Sequence, residues 1–245
     1  MSEINNKMKM IKKTENQIVF HMNVGESTAN AIRRSVNFIP IMAIDEVEIS
    51  KNDSALYDET IAHRMGLISL KMDKSWKEGS SVKLKLHTKK EGMVYSEELK
   101  GDAEIVFEGI PITLLNSDQE LKITAITKMG LGKTHSKFSP GIIYYRNVFE
   151  ITMDKEFEGK VRELFPENEV KVKGNKIVIL DDQAKPAIDF CEGLVKKAKK
   201  EIEVKEKDDL VFTVESFGQI TPEEIFKKAM DILGKELKAV SKSLK

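Results

Sequence analysis

At 245 residues the chain has room for one large domain or two smaller ones, and with Lys plus Arg and Asp plus Glu both at 40 its formal net charge is zero. A protein that grips nucleic acid by itself is usually clearly basic, so autonomous DNA binding is disfavoured. The single cysteine, Cys191, excludes a disulfide framework within the chain and fits a reducing cytosol. The N-terminal lysines precede no apolar stretch, so we expect no signal peptide, and no apolar run approaches the ~20 residues that a membrane span needs.

Residues 1–14 read as a polar, methionine-dotted arm, and Gln17 to Asn23 as a first strand that Gly25-Glu26 breaks. A helix follows, with Ser27 or Thr28 expected to cap it. Ala29, Ile32, Val36 and Ile39 fall at steps of three and four and share one face; Arg33 and Arg34 lie off that face. Paired arginines on a helix are most often plain solvated surface. Pro40 cannot continue the helix, and Met42 to Ile49 alternates as a half-buried strand does. Leu56 to Met65 reads as a short helix or turn. Its His63 and Arg64 have no acid–base partner or nucleophile that spacing can assign, so they read as structural hydrogen-bonding groups. Ser81 to Thr88, Ala103 to Phe107, Ile112 to Leu115 and Leu121 to Thr127 read as strands, which makes about 51–150 β-rich.

Gly132-Lys133-Thr134 looks like the end of a phosphate-binding loop. Thr127 stands where such a loop has its first glycine, and Phe138-Ser139-Pro140-Gly141 is turn chemistry rather than a helix start. Asn147 to Met153 closes the β-rich part, and Phe157 to Leu164 is a short helix. Glu169 to Lys173 and Lys176 to Leu180 pair through the two-residue turn Gly174-Asn175. The adjacent acids Asp181-Asp182 lack a third ligand and read as a capped loop rather than a metal site. Ala184 to Lys200 is amphipathic through Ala187, Cys191, Leu194, Val195 and Ala198. Asp209 to Ser216 is a strong strand. Thr221-Pro222-Glu223-Glu224 then has a threonine cap, a proline at the first helical position and a glutamate at the third. The helix it opens runs to about Leu244 with the stripe Ile225, Ala229, Ile232, Leu233, Leu237, Val240 and Leu244.

Asn30-Ala31-Ile32-Arg33-Arg34, followed by Pro40 and Ala43-Ile44-Asp45-Glu46-Val47, resembles the signature of the alpha-like subunits of DNA-directed RNA polymerase. The string from Asn52 to Leu70, with Ala62-His63-Arg64-Met65-Gly66-Leu67-Ile68 at its heart, is similar to the same stretch in archaeal D-type subunits and their eukaryotic counterparts. Gly130 to Pro140 is similar to a further stretch of that family, with Ser136 and Phe138 where alanine and tryptophan are more usual. The resemblance is dense at both ends of the chain and loose in the middle.

The resemblance implies an α+β fold. A discontinuous dimerisation domain, 1–50 plus 206–245, would hold a small sheet and two long helices, and a β-rich domain, 51–205, would be inserted in it. Residues 152–205 or so would form a ferredoxin-like-derived part. Several archaeal D-type subunits hold an iron–sulfur cluster there, normally on four cysteine thiolates; with Cys191 alone we expect no cluster and no other cofactor. The implied role is a non-catalytic assembly subunit in the cytoplasm, with nucleotidyl transfer carried by the large subunits. The implied partners are an L-like small subunit, a large β-like catalytic subunit and the small N- and P-like subunits, with DNA reached only through the holoenzyme and no membrane contact. The separate DNA-binding C-terminal domain of the bacterial type is expected to be absent. Ile32, Val36, Ile39, Ile225, Ala229, Leu233, Leu237 and Val240 are the expected heterodimer interface, and Ile32, Val36, Ile39, Ile225, Leu233 and Leu237 are expected to be left wet in a lone chain. Arg33 and Arg34 are the expected large-subunit docking residues. Two other readings stand beside this one: a stand-alone dimeric scaffold or adaptor, and a nucleotide-binding enzyme working through Gly132-Lys133-Thr134.

Overall fold

The structure, a computed structural model, describes residues 8–244. In chain order it opens with β1 (Met8–Lys13), β2 (Gln17–Met22), α1 (Glu26–Ser35), β3 (Pro40–Asn52) and α2 (Asp58–Gly66). Next come β4 (Lys83–Thr88), β5 (Gly92–Tyr95), β6 (Lys100–Gly101), β7 (Pro111–Leu115), β8 (Leu121–Leu131) and β9 (Gly141–Asp154). The chain closes with α3 (Glu158–Leu164), β10 (Glu169–Lys173), β11 (Lys176–Asp181), α4 (Ile188–Lys197), β12 (Glu203–Ser216) and α5 (Pro222–Ser243). Of the arm expected over 1–14, residues 1–7 lie outside the described residues. The rest is not an arm: Met8–Lys13 pairs antiparallel with β2, and the Thr14 amide closes the hairpin on the Gln17 carbonyl at 2.8 Å.

Two compact units divide the chain, Met1–Arg33 with Ile143–Glu215 and Arg34–Ile142 with Ser216–Lys245. These boundaries differ from the sequence division at 50 and 206, and hydrogen bonding gives the reason. β3 runs past residue 50 while still paired antiparallel with β8, from Pro40 opposite Leu131 to Asn52 opposite Leu121, with register shifts at Ile44/Glu46 and Ile49/Lys51. On the other side, β2 and β12 share one sheet with β9, β11 and β10, in the order β1-β2-β12-β9-β11-β10.

In the first unit, Ile151, Ile177 and Ile179 of that sheet pack with Val161 of α3 and with Cys191 and Val195 of α4. Phe20 and Phe212, on neighbouring strands, stack with ring centroids 5.6 Å apart. The hairpin of β10 and β11 keeps the expected two-residue turn, with Lys173 opposite Lys176 and Gly174 at φ +61°.

The second unit holds a four-stranded sheet in the order β3-β8-β4-β6 and a β5-β7 ribbon. Met42, Ile44, Leu84, Leu86, Ile123 and Ala125 meet Ile61 and Met65 of α2 in its core. The register of β3 against β8 slips between Ile44 and Glu46. Such a bulge leaves one residue unpaired and re-aims its side chain. Here that residue is Asp45, and burial changes at the same point from continuous to alternating. The expected strand from Ala103 to Phe107 is reduced to an isolated bridge, Leu70 opposite Ile105. Its partner stretch contributes only the Ser69 carbonyl and the Lys71 amide on either side of that bridge.

Candidate assembly surfaces

Gly25 opens α1. Its carbonyl accepts from the amides of Thr28 and Ala29, both at 3.0 Å, so Ser27 and Thr28, expected as caps, sit inside the first turn. Ala29, Ile32, Val36 and Ile39 are all buried within the lone chain. Arg33 flanks that face and Arg34 lies on the opposite one, and both are exposed. Arg33 is tied down locally: its Nη2 and Nε donate to Asn30 Oδ1 at 2.8 and 3.2 Å. Arg34, one position on, has no hydrogen bond or ion pair among the described residues. A planar fork of donors held on a rigid helix and left unused suits carboxylates or carbonyls on another protein.

Thr221 caps α5 as the sequence indicates: Oγ1 accepts from the Glu224 amide at 3.3 Å, and Glu224 Oε2 accepts from the Thr221 amide at 3.2 Å. Along this helix of 22 residues the apolar stripe changes role. Ile225 and Ala229 are buried, as α5 packs on the 3-10 turn Val36–Phe38. Leu233 is half-buried. Leu237, Val240 and Leu244 are 63%, 57% and 82% exposed. The expectation that Ile32, Val36, Ile39 and Ile225 would be wet in a lone chain is therefore corrected, whereas Leu237 is exposed as expected. Ile32, Val36, Ile39, Ile225 and Ala229 are core of the chain itself, because its own elements reach them; Leu237, Val240 and Leu244 are what remain open.

The residues that looked catalytic or ligand-binding have structural work. Gly132-Lys133-Thr134 is a turn at the end of β8. A Cβ on Gly132 would meet Asn37 Oδ1 at 2.9 Å and Asn37 Cα at 3.2 Å. The Lys133 amide donates to the Asn37 carbonyl at 3.0 Å, and its ammonium lies 5.3 Å over the Phe38 ring. A short 3-10 turn, Ser136–Phe138, follows rather than the helix that a phosphate loop opens. Arg64 donates to the Ile112 carbonyl at 2.8 Å, as expected of a structural group; His63 is the exception, exposed and with no side-chain hydrogen bond or ion pair among the described residues, so the structural bond expected of it is absent there. Asp181 is buried: its Oδ1 accepts from Arg146 Nη2 at 3.1 Å and from the Ala187 amide at 3.0 Å, and its Oδ2 from the Ile188 amide at 3.3 Å. It thus caps α4 while holding the half-buried guanidinium of Arg146. Asp182 faces His21 instead, whose Nε2 lies 2.7 Å from the Asp182 carbonyl oxygen. Cys191 packs inside α4's core face, and burial, helped by the negative charge of Asp181, pushes its thiol up to about 11. Among the described residues no three His, Cys, Asp or Glu side chains are grouped to hold a metal ion, and no helix is long and apolar enough to cross a membrane.

Sequence reasoning missed the pairing of Asp45 with Lys137 Nζ, at 2.6 Å. That hydrogen bond, more than any other contact, holds the Asp45 carboxyl below its ordinary value. Asp45 ends the unbroken apolar run Ile41–Ile44 at the start of the strand, which was the available signal. It also missed the partnership of Arg146, a charge in the middle of a strand that needs a buried acid.

A family model described as the RNA polymerase Rpb3/Rpb11 dimerisation domain matches residues 19–237. DNA-directed RNA polymerase subunit Rpo3 of Pyrococcus horikoshii is 36% identical over 247 residues, covering 93% of each chain. Subunits of the same name from Thermococcus kodakarensis and Pyrococcus furiosus are each 34% identical, covering 92% of each chain. With a family model spanning most of its length and full-length relatives of one kind, the chain belongs to the RNA polymerase Rpb3/Rpb11 dimerisation-domain family, as an alpha-like member of the Rpo3 type.

Proposed function

We propose that the chain is a D-type assembly subunit of a cytoplasmic DNA-directed RNA polymerase, non-catalytic itself, that pairs with an L-like small subunit before the large subunits join. The observation that carries the reading is the end of α5. Leu237, Val240 and Leu244 continue a stripe whose first half is core, yet stay 63%, 57% and 82% exposed, on a chain of a dimerisation-domain family. Burying such a face is worth about 25 cal/mol per Å² of apolar area. The pairing function is assigned to the segments 1–50 and 206–245, with Leu233, Leu237 and Val240 of the expected interface at the contact, while Ile32, Val36, Ile39, Ile225 and Ala229 are buried within the chain. Arg34, with Arg33 beside it, docks on the large β-like subunit. The N- and P-like subunits join the same platform, DNA is met only through the holoenzyme, and Cys191 carries no iron–sulfur cluster.

A two-step reconstitution tests this. The chain is first mixed with the L-like subunit, then with the large subunit. Arg34→Ala should leave the first step intact and weaken the second by about thirtyfold, which corresponds to the ~2 kcal/mol loss of an interface arginine. Recovery of the large subunit at wild-type levels under dilute, competitive conditions would return Arg34 to plain surface. Failure of the wild-type chain to bind either subunit would remove the assembly role.

A further inference from the structure

A cleft of about 360 Å³ opens in the second unit beside residues 216–219. Three large apolar side chains on its lining, Leu67, Phe107 and Phe217, stay 54%, 46% and 41% exposed. Gln219 also lines it but is only 4% exposed, and its Oε1 is buried with no hydrogen-bond partner. Buried polar atoms are almost always paired, and an unpaired one calls for an explanation.

The backbone around Gln219 is not short of bonds. The Phe217 amide donates to the Pro140 carbonyl, the Gly218 amide to Ser216 Oγ and the Met72 amide to the Gln219 carbonyl, each at 2.9 Å. Gly218 sits at φ +89°, and a Cβ there would run into Val106 Cγ1. That close approach brings the turn up against the stretch that carries Phe107. The backbone of the cleft is thus held in place, and a ligand has only to turn the Gln219 side chain to reach Oε1. Among the described residues the one charged group on its lining is Lys137, whose ammonium is already paired with Asp45 at 2.6 Å. An anion or a nucleic-acid backbone finds no free cation there, and a carboxylate would set its lone pairs against Oε1.

We infer that this cleft receives an uncharged, extended segment of another polymerase subunit, which donates a backbone N–H to Gln219 Oε1 and seats an apolar side chain between Phe107 and Phe217. The inference rests on the assembly role proposed above and adds to it a site and a chemistry of recognition. The acceptor gives register and the aromatic rings give contact area, the division of labour by which grooves take extended chains.

The test uses the full chain in a polymerase reconstituted from purified subunits. With the photo-cross-linker p-benzoylphenylalanine placed at position 217, irradiation should yield one dominant adduct, to a single uncharged segment of another subunit. In parallel, Gln219→Leu removes the orphaned acceptor and keeps the volume apolar. Its isolated chain should unfold no earlier than wild type, while its incorporation against wild type in competition should fall about fivefold, the loss expected for one hydrogen bond. The inference is overturned if a polymerase that assembles normally gives no adduct, adducts scattered over many segments, an adduct to a charged segment or an adduct to a second copy of this chain. It is equally overturned if Gln219→Leu competes as well as wild type. A wild-type chain that never enters the polymerase overturns the assembly role instead, and is recognised by the absence of any complex.

Discussion

Replacing Leu237 and Val240 together by aspartate should separate pairing from folding. The two side chains are 63% and 57% exposed in the lone chain. Full burial of a Leu or Val side chain is worth roughly 1.5–3 kcal/mol, so covering the exposed part contributes about 1–2 kcal/mol each. Together they account for roughly 3 kcal/mol of pairing, or about a hundredfold in Kd; the cost of burying two carboxylates makes that a lower bound. Thermal unfolding of the isolated variant should stay close to wild type, because exposed substitutions usually change stability by no more than about 0.5 kcal/mol. Ile225→Asp is the contrasting control. Ile225 is 0% exposed, and a charge there should cost more than about 4 kcal/mol of folding. The Kd for the L-like subunit, from sedimentation or fluorescence titration, and the unfolding midpoint are measured side by side. If the double aspartate variant pairs with wild-type Kd, the end of α5 is not the contact and the argument from its exposed stripe fails.

Asp181→Ala should destabilise the chain by about 3 kcal/mol in urea unfolding, since it removes the only carboxylate that Arg146 pairs with among the described residues and uncaps α4; a loss under about 1 kcal/mol would show that the pair is not structural. Cys191, with its thiol pushed up to about 11, should resist a disulfide reagent at pH 8 while folded and react fully in guanidinium; anaerobically purified chain should assay without stoichiometric iron, and rapid native labelling or several irons per chain would refute the reading. The Asp45 carboxyl is held low chiefly by its hydrogen bond from Lys137. Its contribution is therefore present above the ordinary value of 3.8 and lost as pH falls through the lowered one. Asp45→Asn should cost about 1 kcal/mol near neutrality and nothing in strong acid, and a cost independent of pH would contradict the pairing.

What the sequence made legible was local chemistry. The Thr221–Glu224 capping box and the Gly174-Asn175 hairpin are decided by residues within a few positions of each other, and both form where their residue types place them. What it hid depends on partners distant in the chain. Ala103 to Phe107 has the composition of a strand, yet the stretch opposite it supports one bridge. Gly92–Tyr95 is a strand because β7 lies beside it, with Gly92 opposite Leu115. The assembly surface follows the same rule. Apolar spacing on α1 and α5 says which face of each helix is covered; it does not say whether the cover comes from this chain or from another.

Exposure along α5 answers that question residue by residue. A stripe covered throughout by its own chain would leave α5 no apolar surface to offer, and one exposed throughout would leave it undocked. The helix instead passes from buried Ile225 and Ala229, through half-buried Leu233, to exposed Leu237, Val240 and Leu244 without losing its spacing. Its first half is anchored by the Thr221 cap and by packing on the 3-10 turn Val36–Phe38. An isolated stretch as short as its second half is marginal as a helix in water, but as an extension of an anchored helix it needs no new nucleus. The anchored half thus holds the exposed half in helical register before any partner arrives, which lowers the ordering cost of association. Core and interface are consecutive parts of one stripe, so a substitution's effect on folding or on pairing follows from how far along α5 it lies.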